Sequence, residues 1–458
     1  MTRASSPSTR RFSSLTGADS PKWDGGRLPS RSGRARGDTL FGPINRIIDA
    51  NRSPLHDTLS APHPTRIARE RGLLLAIRMG TAFEVVVVGA GPAGSLCALL
   101  LARRGARVLI VDRAQYGRDK ACGEGLMPRG VAVLERAGLR HLLLGSREFS
   151  GIAFRCGEAR VAGEFRDSTG RGVRRTSFDA ALVDAAARAG AEVRFGAFAR
   201  SLDLAGRRPL LRVCSTDSEE RLCPRLVVVA DGGRSTLRSE FGPRASTGRI
   251  GIVAHLAANA WTGFDLRHSK RRKNPAPCVE AIFAEGWQAV FTPVGDAVSI
   301  AALVEPWRAP ELAQGASCWL ERRLREHAEI TGKLECEVRC VPLRAGAART
   351  FHNGVLLLGD AAGAVDPIVG CGISLALESA EAAAPIIARA VDSGDLGSHE
   401  LADCARARQV ALASTVRFAR LALGLARRPT LAAALARLAA MFPRVLDELV
   451  TGVGVANR

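Results

Sequence analysis

"VVVVGAGPAGSLCALLLARRGARVLIVDR", running from Val85 to Arg113, decides the fold. Four consecutive valines read as a strand buried on both faces, as expected of a parallel sheet rather than an alternating antiparallel one. Gly89-Ala90-Gly91-Pro92-Ala93-Gly94 then fits G-x-G-x-x-G, residues 94–104 read as a helix, and residues 106–112 as a second strand. Each glycine answers a separate need: Gly89 permits the tight turn, Gly91 lets a pyrophosphate approach the backbone, and Gly94 lets helix and strand lie close. The helix start offers N–H groups and a partial positive charge to phosphates. Asp112 closes the second strand, where an acid accepts ribose hydroxyls, with Arg113 beside it. Strand, turn, helix and acid in this order predict a bound dinucleotide.

Two later segments extend the pattern. "VVVADGGRSTLR" (227–238) puts Asp231-Gly232 directly after a buried strand. "GDAAGAVDPIVGCGISLALESAE" (359–381) puts Gly359-Asp360 after another, followed by a glycine loop through Gly370, Cys371 and Gly372 that enters a helix at Ile373. An acid at a strand end suits a ribityl hydroxyl, and a loop at a helix start suits pyrophosphate and the electron-rich edge of a flavin. Between them, residues 177–197 read as a helix and a strand, and residues 246–305 as alternating strands, with 279–305 the clearest meander. After Gly372 the chain reads as almost wholly helical to its end.

Taken in order, the G-x-G-x-x-G, Asp-Gly and Gly-Asp segments over about residues 83–385 resemble the FAD-dependent aromatic hydroxylase and geranylgeranyl reductase superfamily. The resemblance implies an α/β protein with a Rossmann-like FAD-binding domain, interrupted by an antiparallel-sheet substrate domain and followed by a helical C-terminus. On that scheme 79–148, 176–245 and 340–400 form the discontinuous FAD domain. Residues 149–175 and 246–339 form the substrate sheet, and 401–458 the C-terminal helices. FAD is the implied cofactor, held by Gly89, Gly91, Pro92, Ala93, Gly94, Asp112, Arg113, Asp231, Gly232, Gly359, Asp360, Gly370, Gly372 and Ile373. Cys122-Gly123-Glu124-Gly125 resembles the Cys-Gly element that the reductase branch holds near the flavin, which makes Cys122 the candidate catalytic residue; the other reading is a small buried thiol in a glycine turn. In the roof motif of the superfamily, "GWQAVFTP" (286–293) keeps Pro293 but has Gln288 and Val290 at the two aromatic positions.

Composition narrows the alternatives. The formal net charge is +20, but the basic residues are spread along the chain and aromatics are 5%, so nucleic-acid binding is not expected. Residues 1–78 carry fourteen Lys and Arg against six Asp and Glu in a Ser-, Gly- and Pro-rich context, which reads as a disordered extension, with Met79 as the favoured start and a targeting segment as a further reading. The eleven cysteines read as reduced thiols of a cytoplasmic protein. The closest pair, Cys336 and Cys340, has no partner group at zinc-site spacing, so no metal is expected. His255, His268 and His352 stand isolated in sequence and read as core or surface residues.

These readings converge on an FAD-dependent oxidoreductase acting on a hydrophobic small molecule, with NAD(P)H or a protein as electron donor. Monooxygenase-like hydroxylation leads, reduction of isoprenoid double bonds is the alternative, and a non-catalytic carrier of prenylated partners is the reading from another class. The stretch 417–450 has apolar residues at helical spacing with Arg between them; packed helices are the first reading and peripheral contact with an anionic membrane the second.

Overall fold

The computed structural model describes residues 79–80, 83–117, 119–216, 218–242, 245–261, 277–327, 330, 334, 339–345, 350–352, 354–394, 396 and 398–454. The extension 1–78, His268 and Cys336 lie outside the described residues, as does the side chain of Cys340.

The valine run does what its composition dictates. Val85–Val88 is a strand at the centre of a six-stranded sheet, paired in parallel with Leu226–Val229 on one side and Val108–Asp112 on the other. Val355–Leu357 and Glu192–Phe195 extend it in parallel, and Phe351–His352 adds an antiparallel edge. Val85 and Val87 face the helices Pro92–Ala102, Arg175–Arg188 and Gly372–Ser393. Val86 and Val88 face an apolar layer shared with a four-stranded sheet built mainly from residues 198–222. All four valines are buried, each contributing about 1.5–3 kcal/mol relative to exposure. The four-stranded sheet has no counterpart in the sequence reading: its strands are short, half-exposed and rich in Arg and Glu.

The first helix spans Pro92–Ala102 rather than starting at Gly94. Pro92 takes the first helical position, where its missing N–H is not needed.

A seven-stranded sheet forms the second layer, in the order Arg339–Ala345, Ala245–Ala257, Ala297–Val304, Trp287–Val294, Val279–Ala284, Gly151–Cys156, Ala159–Glu164. It is antiparallel except where Val279–Ala284 runs parallel to Gly151–Cys156. Alternation separates its two faces. Trp287, Ala289, Phe291, Ile300 and Ile252 pack on the Ala316–His327 helix. Val279, Ala281, Phe283 and Val290 turn the other way, toward Met127, Val369, Cys371 and the C-terminal helices. Those helices are Ser398–Ala426, Pro429–Met441 and Pro443–Gly454. No single helix among the described residues is long and apolar enough to cross a membrane; the last two pass that test only as a pair, bent by 112°.

Candidate functional site

The three glycine-and-acid motifs meet at the carboxyl ends of the parallel strands, where ligands bind in open α/β sheets. Gly89, at φ 107°, lies against Ala230 and Asp231: a Cβ there would stand 2.6 Å from the Ala230 carbonyl oxygen. A Cβ on Gly94 would stand 2.0 Å from the Gly89 carbonyl oxygen, so this glycine sets how closely helix and turn approach. A Cβ on Gly91 would meet nothing within 4 Å. The space beside the Gly91 backbone is therefore open, as a pyrophosphate requires, while its two sister glycines are closed against protein.

The acids differ in their surroundings. Asp112 is buried; its Oδ2 accepts from the Ala90 N–H at 2.7 Å and its Oδ1 from the Ala114 N–H at 2.9 Å. The carboxylate thus holds the glycine turn and lines a cleft with Ala90, Gln115, Asp179 and Phe195. Arg113 is exposed beside it. Asp360 is half-buried, with Lys120 Nζ 3.8 Å from its Oδ2. The same ammonium lies 3.5 Å from the Cβ position of Gly232, and Asp360 Cβ lies 3.9 Å from that of Gly233. Gly359, at φ 55°, abuts Ala93 at the helix start. Arg408, reaching in from the Ser398–Ala426 helix, donates to the Gly363 carbonyl and is held below the usual guanidinium range by burial, with Asp360 opposing and Arg238 adding to the shift. Lys120 and Arg408 carry no motif, and nothing in the sequence marks either of them.

Not every expected residue offers its side chain. Pro92 and Ala93 are buried at the helix start, and Ile373 belongs to the core beneath the sheet, so only its backbone is available. Gly372 is exposed, with nothing within 4 Å of its Cβ position. Gly370, at φ 67°, brings its carbonyl oxygen 3.9 Å from the Cβ position of Gly125, so the second glycine loop meets the Cys122–Gly125 segment.

That segment holds a cluster invisible in the sequence. Glu124 is 1% exposed and adopts φ 56°, a left-handed conformation rare for a side chain of this size and a mark of imposed backbone geometry. Its Oε1 accepts from the Arg175 N–H at 2.8 Å, and its Oε2 lies 2.8 Å from His255 Nε2 and 3.2 Å from Arg174 Nη1. Arg174 also contacts His255 directly. Burial would push the Glu124 carboxyl up; the His255 hydrogen bond, the Arg175 N–H and the Arg174 charge outweigh it and hold the carboxyl below its ordinary value. His255 is therefore not an isolated core residue. It sits on the covered face of the seven-stranded sheet in a cross-strand row with Ser299 and Thr292. Ser299 Oγ donates to the Cys122 carbonyl at 3.5 Å, and Thr292 Oγ1 lies 3.8 Å from the Cβ position of Gly125.

Cys122 is half-buried, and its Sγ accepts from the Glu124 N–H at 3.4 Å. Arg175 lies beside the thiol and forms a buried two-pronged pair with Asp179, Nε to Oδ1 at 2.8 Å and Nη2 to Oδ2 at 2.5 Å. The segment thus lies between the covered sheet face and the second glycine loop. A cavity of about 510 Å³ shares no lining residue with the three motifs: it opens at the Gly157–Glu158 turn among Arg155, Arg160, Arg325, Ile282 and Phe283.

Comparison with known proteins agrees with this geometry. The FAD binding domain family matches residues 82–419. The chain is 31% identical to a menaquinone reductase of Mycobacterium tuberculosis over 324 residues, 68% of this chain and 77% of that one. It is 32% identical over 327 residues to digeranylgeranylglycerophospholipid reductase 2 of Methanopyrus kandleri, 68% of this chain and 78% of that one. Among solved structures, the myxobacterial chondrochloren halogenase shares the fold with a TM-score of 0.63 at 23% identity, covering 81% of this chain and 92% of its own.

Proposed function

The chain belongs to the FAD binding domain family and is an FAD-dependent oxidoreductase, and from that premise we propose that it reduces a carbon–carbon double bond in a prenylated, lipid-like substrate. The observation that carries this reading is the covered sheet face: apolar residues at Val253, Ala301 and Val290 lead to the polar row His255–Ser299–Thr292 over Cys122–Gly125. The similarity to reductases named for a prenyl quinone and a prenyl lipid supports the same chemistry. Relatedness to the halogenase supports the fold alone and leaves hydroxylation as the competing outcome.

FAD would be held at Gly91 and the helix start through its pyrophosphate, at Asp112 through the adenosine ribose, and beside Asp360 and Lys120 through its other half. When bound, it supplies hydride transfer. The protein's own groups would do the rest. Glu124, Arg174 and His255 hold a fixed, hydrogen-bonded charge at the polar end, able to keep a proton close to the reacting carbon. Cys122 and Gly125 shape the floor there. NAD(P)H is the proposed donor, with a protein donor as the alternative source.

The outer face of the last two helices supports peripheral contact with a lipid surface. Leu438, Met441, Phe442 and Val445 are 52–71% exposed, with the exposed Arg437 and Arg444 among them. A substrate delivered from such a surface would enter under those helices, whose inner faces line the same apolar layer as Val290 and Val369.

The test is a single turnover without oxygen. The holo-protein is reduced with NADPH and mixed with geranylgeraniol. Reoxidation under anaerobic conditions, with a product that has gained two hydrogens, supports the reductase reading. Reoxidation only on admitting air, with a product that has gained oxygen, replaces it with hydroxylation.

A further inference from the structure

At the opposite end of the covered sheet face lies a second polar group that the reaction does not use. Gln288 shares a cross-strand row with Leu303 and Gly251, on the same face as Val290 and Thr292. It is 3% exposed, and neither its Nε2 nor its Oε1 has a hydrogen-bond partner among the described residues. Beyond it on the same face, Arg249 Nη1 and Glu305 Oε1 face each other at 3.7 Å, too long for a hydrogen bond, and both also lack hydrogen-bond partners among the described residues. Their remaining atoms are anchored: Arg249 to Asp366, and Glu305 Oε2 to Arg427 Nη2 at 3.4 Å.

A buried amide with neither polar atom hydrogen-bonded among the described residues requires an explanation, because such a group costs about 1–3 kcal/mol, and the ion pair beside it keeps two further atoms with unspent hydrogen-bonding capacity. Packing does not supply one. An apolar residue of the same size at position 288 would fill the space without the penalty. The groups present are two donors, Gln288 Nε2 and Arg249 Nη1, and two acceptors, Gln288 Oε1 and Glu305 Oε1. They match an oxygen-bearing ligand that can accept and donate.

We propose that Gln288, with Arg249 and Glu305, binds the oxygenated head group of the prenylated substrate, while its reacting double bond lies at the His255–Ser299–Thr292 end. This rests on the reductase reading for which end reacts. The row of Gln288 and Gly251 is four residues along the strand from that of His255, roughly 13 Å at the usual rise. The row of Val253, Ala301 and Val290 lies between them and offers only apolar contact. The site therefore fixes which double bond is reduced by its distance from the head, rather than by any feature of the bond itself.

Three probes with one fifteen-carbon chain separate the possibilities: farnesol with a hydroxyl, farnesal with a carbonyl, and farnesene with no oxygen. Binding to the purified holo-protein is measured by equilibrium dialysis, with flavin content read by absorbance in the same sample. The expected result is tighter binding of farnesol or farnesal than farnesene by about five- to tenfold, the worth of one or two hydrogen bonds. Whichever probe leads identifies the head as hydroxyl or carbonyl. Gln288→Met should abolish most of the preference and raise the melting temperature by removing an unpaired amide. Equal binding of all three probes to the wild-type protein would overturn the proposal, as would a preference that survives Gln288→Met. A colourless protein that still prefers the oxygenated probe would overturn the flavin reading and leave the head-group site standing.

Discussion

His255 Nε2 stands 2.8 Å from Glu124 Oε2, joining a strand of the covered sheet to a loop 131 residues earlier in the chain. The two residues fix where the sheet sits above the second glycine loop, and they do so with a buried charge rather than with packing alone. Replacing Glu124 with Gln keeps the shape and removes the charge. Melting temperature at neutral pH should fall by the equivalent of about 2 kcal/mol, the scale of a charge-assisted hydrogen bond. Because burial is outweighed and the folded carboxyl lies below its ordinary value of 4.5, its contribution is present above that pH and is lost as pH falls through the folded value. The gap between wild type and variant should therefore narrow as pH falls below about 4.5. A gap that stays constant would show that Glu124 acts through shape.

The glycine turn offers a paired test. Gly91 has an ordinary φ of −82° and open space at its Cβ position, so Gly91→Val should fold and purify without flavin. Gly94→Val should fail to accumulate as soluble protein, since its Cβ would strike the Gly89 carbonyl oxygen. Full flavin occupancy in the Gly91 variant, by absorbance, would remove this turn from the cofactor site.

Asp112→Asn should weaken FAD affinity at least tenfold. The amide keeps one acceptor for the N–H groups of Ala90 and Ala114 but turns the other into a donor facing them. Isothermal titration of the apo-protein with FAD reads the effect directly, and an unchanged affinity would show that the carboxylate serves the turn alone.

The Arg175–Asp179 pair is buried on both sides. Removing one partner strands the other charge, so Arg175→Met should lower stability by about 3–5 kcal/mol, whereas a double replacement of Arg175 and Asp179 by apolar residues should recover most of it. Denaturant melts of the two variants make the comparison.

Membrane contact is tested with vesicles. Wild-type protein should sediment with vesicles rich in phosphatidylglycerol and much less with pure phosphatidylcholine. Replacing Leu438 and Phe442 with Glu should abolish sedimentation while leaving the flavin spectrum unchanged. Equal sedimentation of the variant would place the contact elsewhere.

The parallel core was legible because its signals are local: a valine run, glycines at fixed spacing, an acid at each strand end. The cofactor followed from three such segments in the right order. What the sequence concealed depends on register. Glu124 and His255 meet only because His255 pairs with Ser299, whose side chain then reaches the carbonyl of Cys122. No spacing rule encodes that. Lys120 and Arg408 were concealed for the same reason, as single basic residues in a chain with 65 of them. Gln288 was visible as a departure from an aromatic position, but the polar use of that place depends on Arg249 and Glu305 arriving on neighbouring strands.

The strand Val279–Ala284 runs parallel to Gly151–Cys156, and between the two in the chain lie the helix Arg175–Arg188 and two strands of the other large sheet, Glu192–Phe195 and Leu226–Val229. That other sheet in turn waits for Val355–Leu357. Neither layer can finish without residues made long after its first strand, so contacts of high sequence separation dominate, and refolding should be slow for the chain's length. During synthesis the edge of Gly151–Cys156 stays open until residue 284 has emerged. A ribosome that stalls in that interval would display an unpaired apolar edge, and the hazard to the cell would be greatest there rather than at the exposed helices of the finished protein.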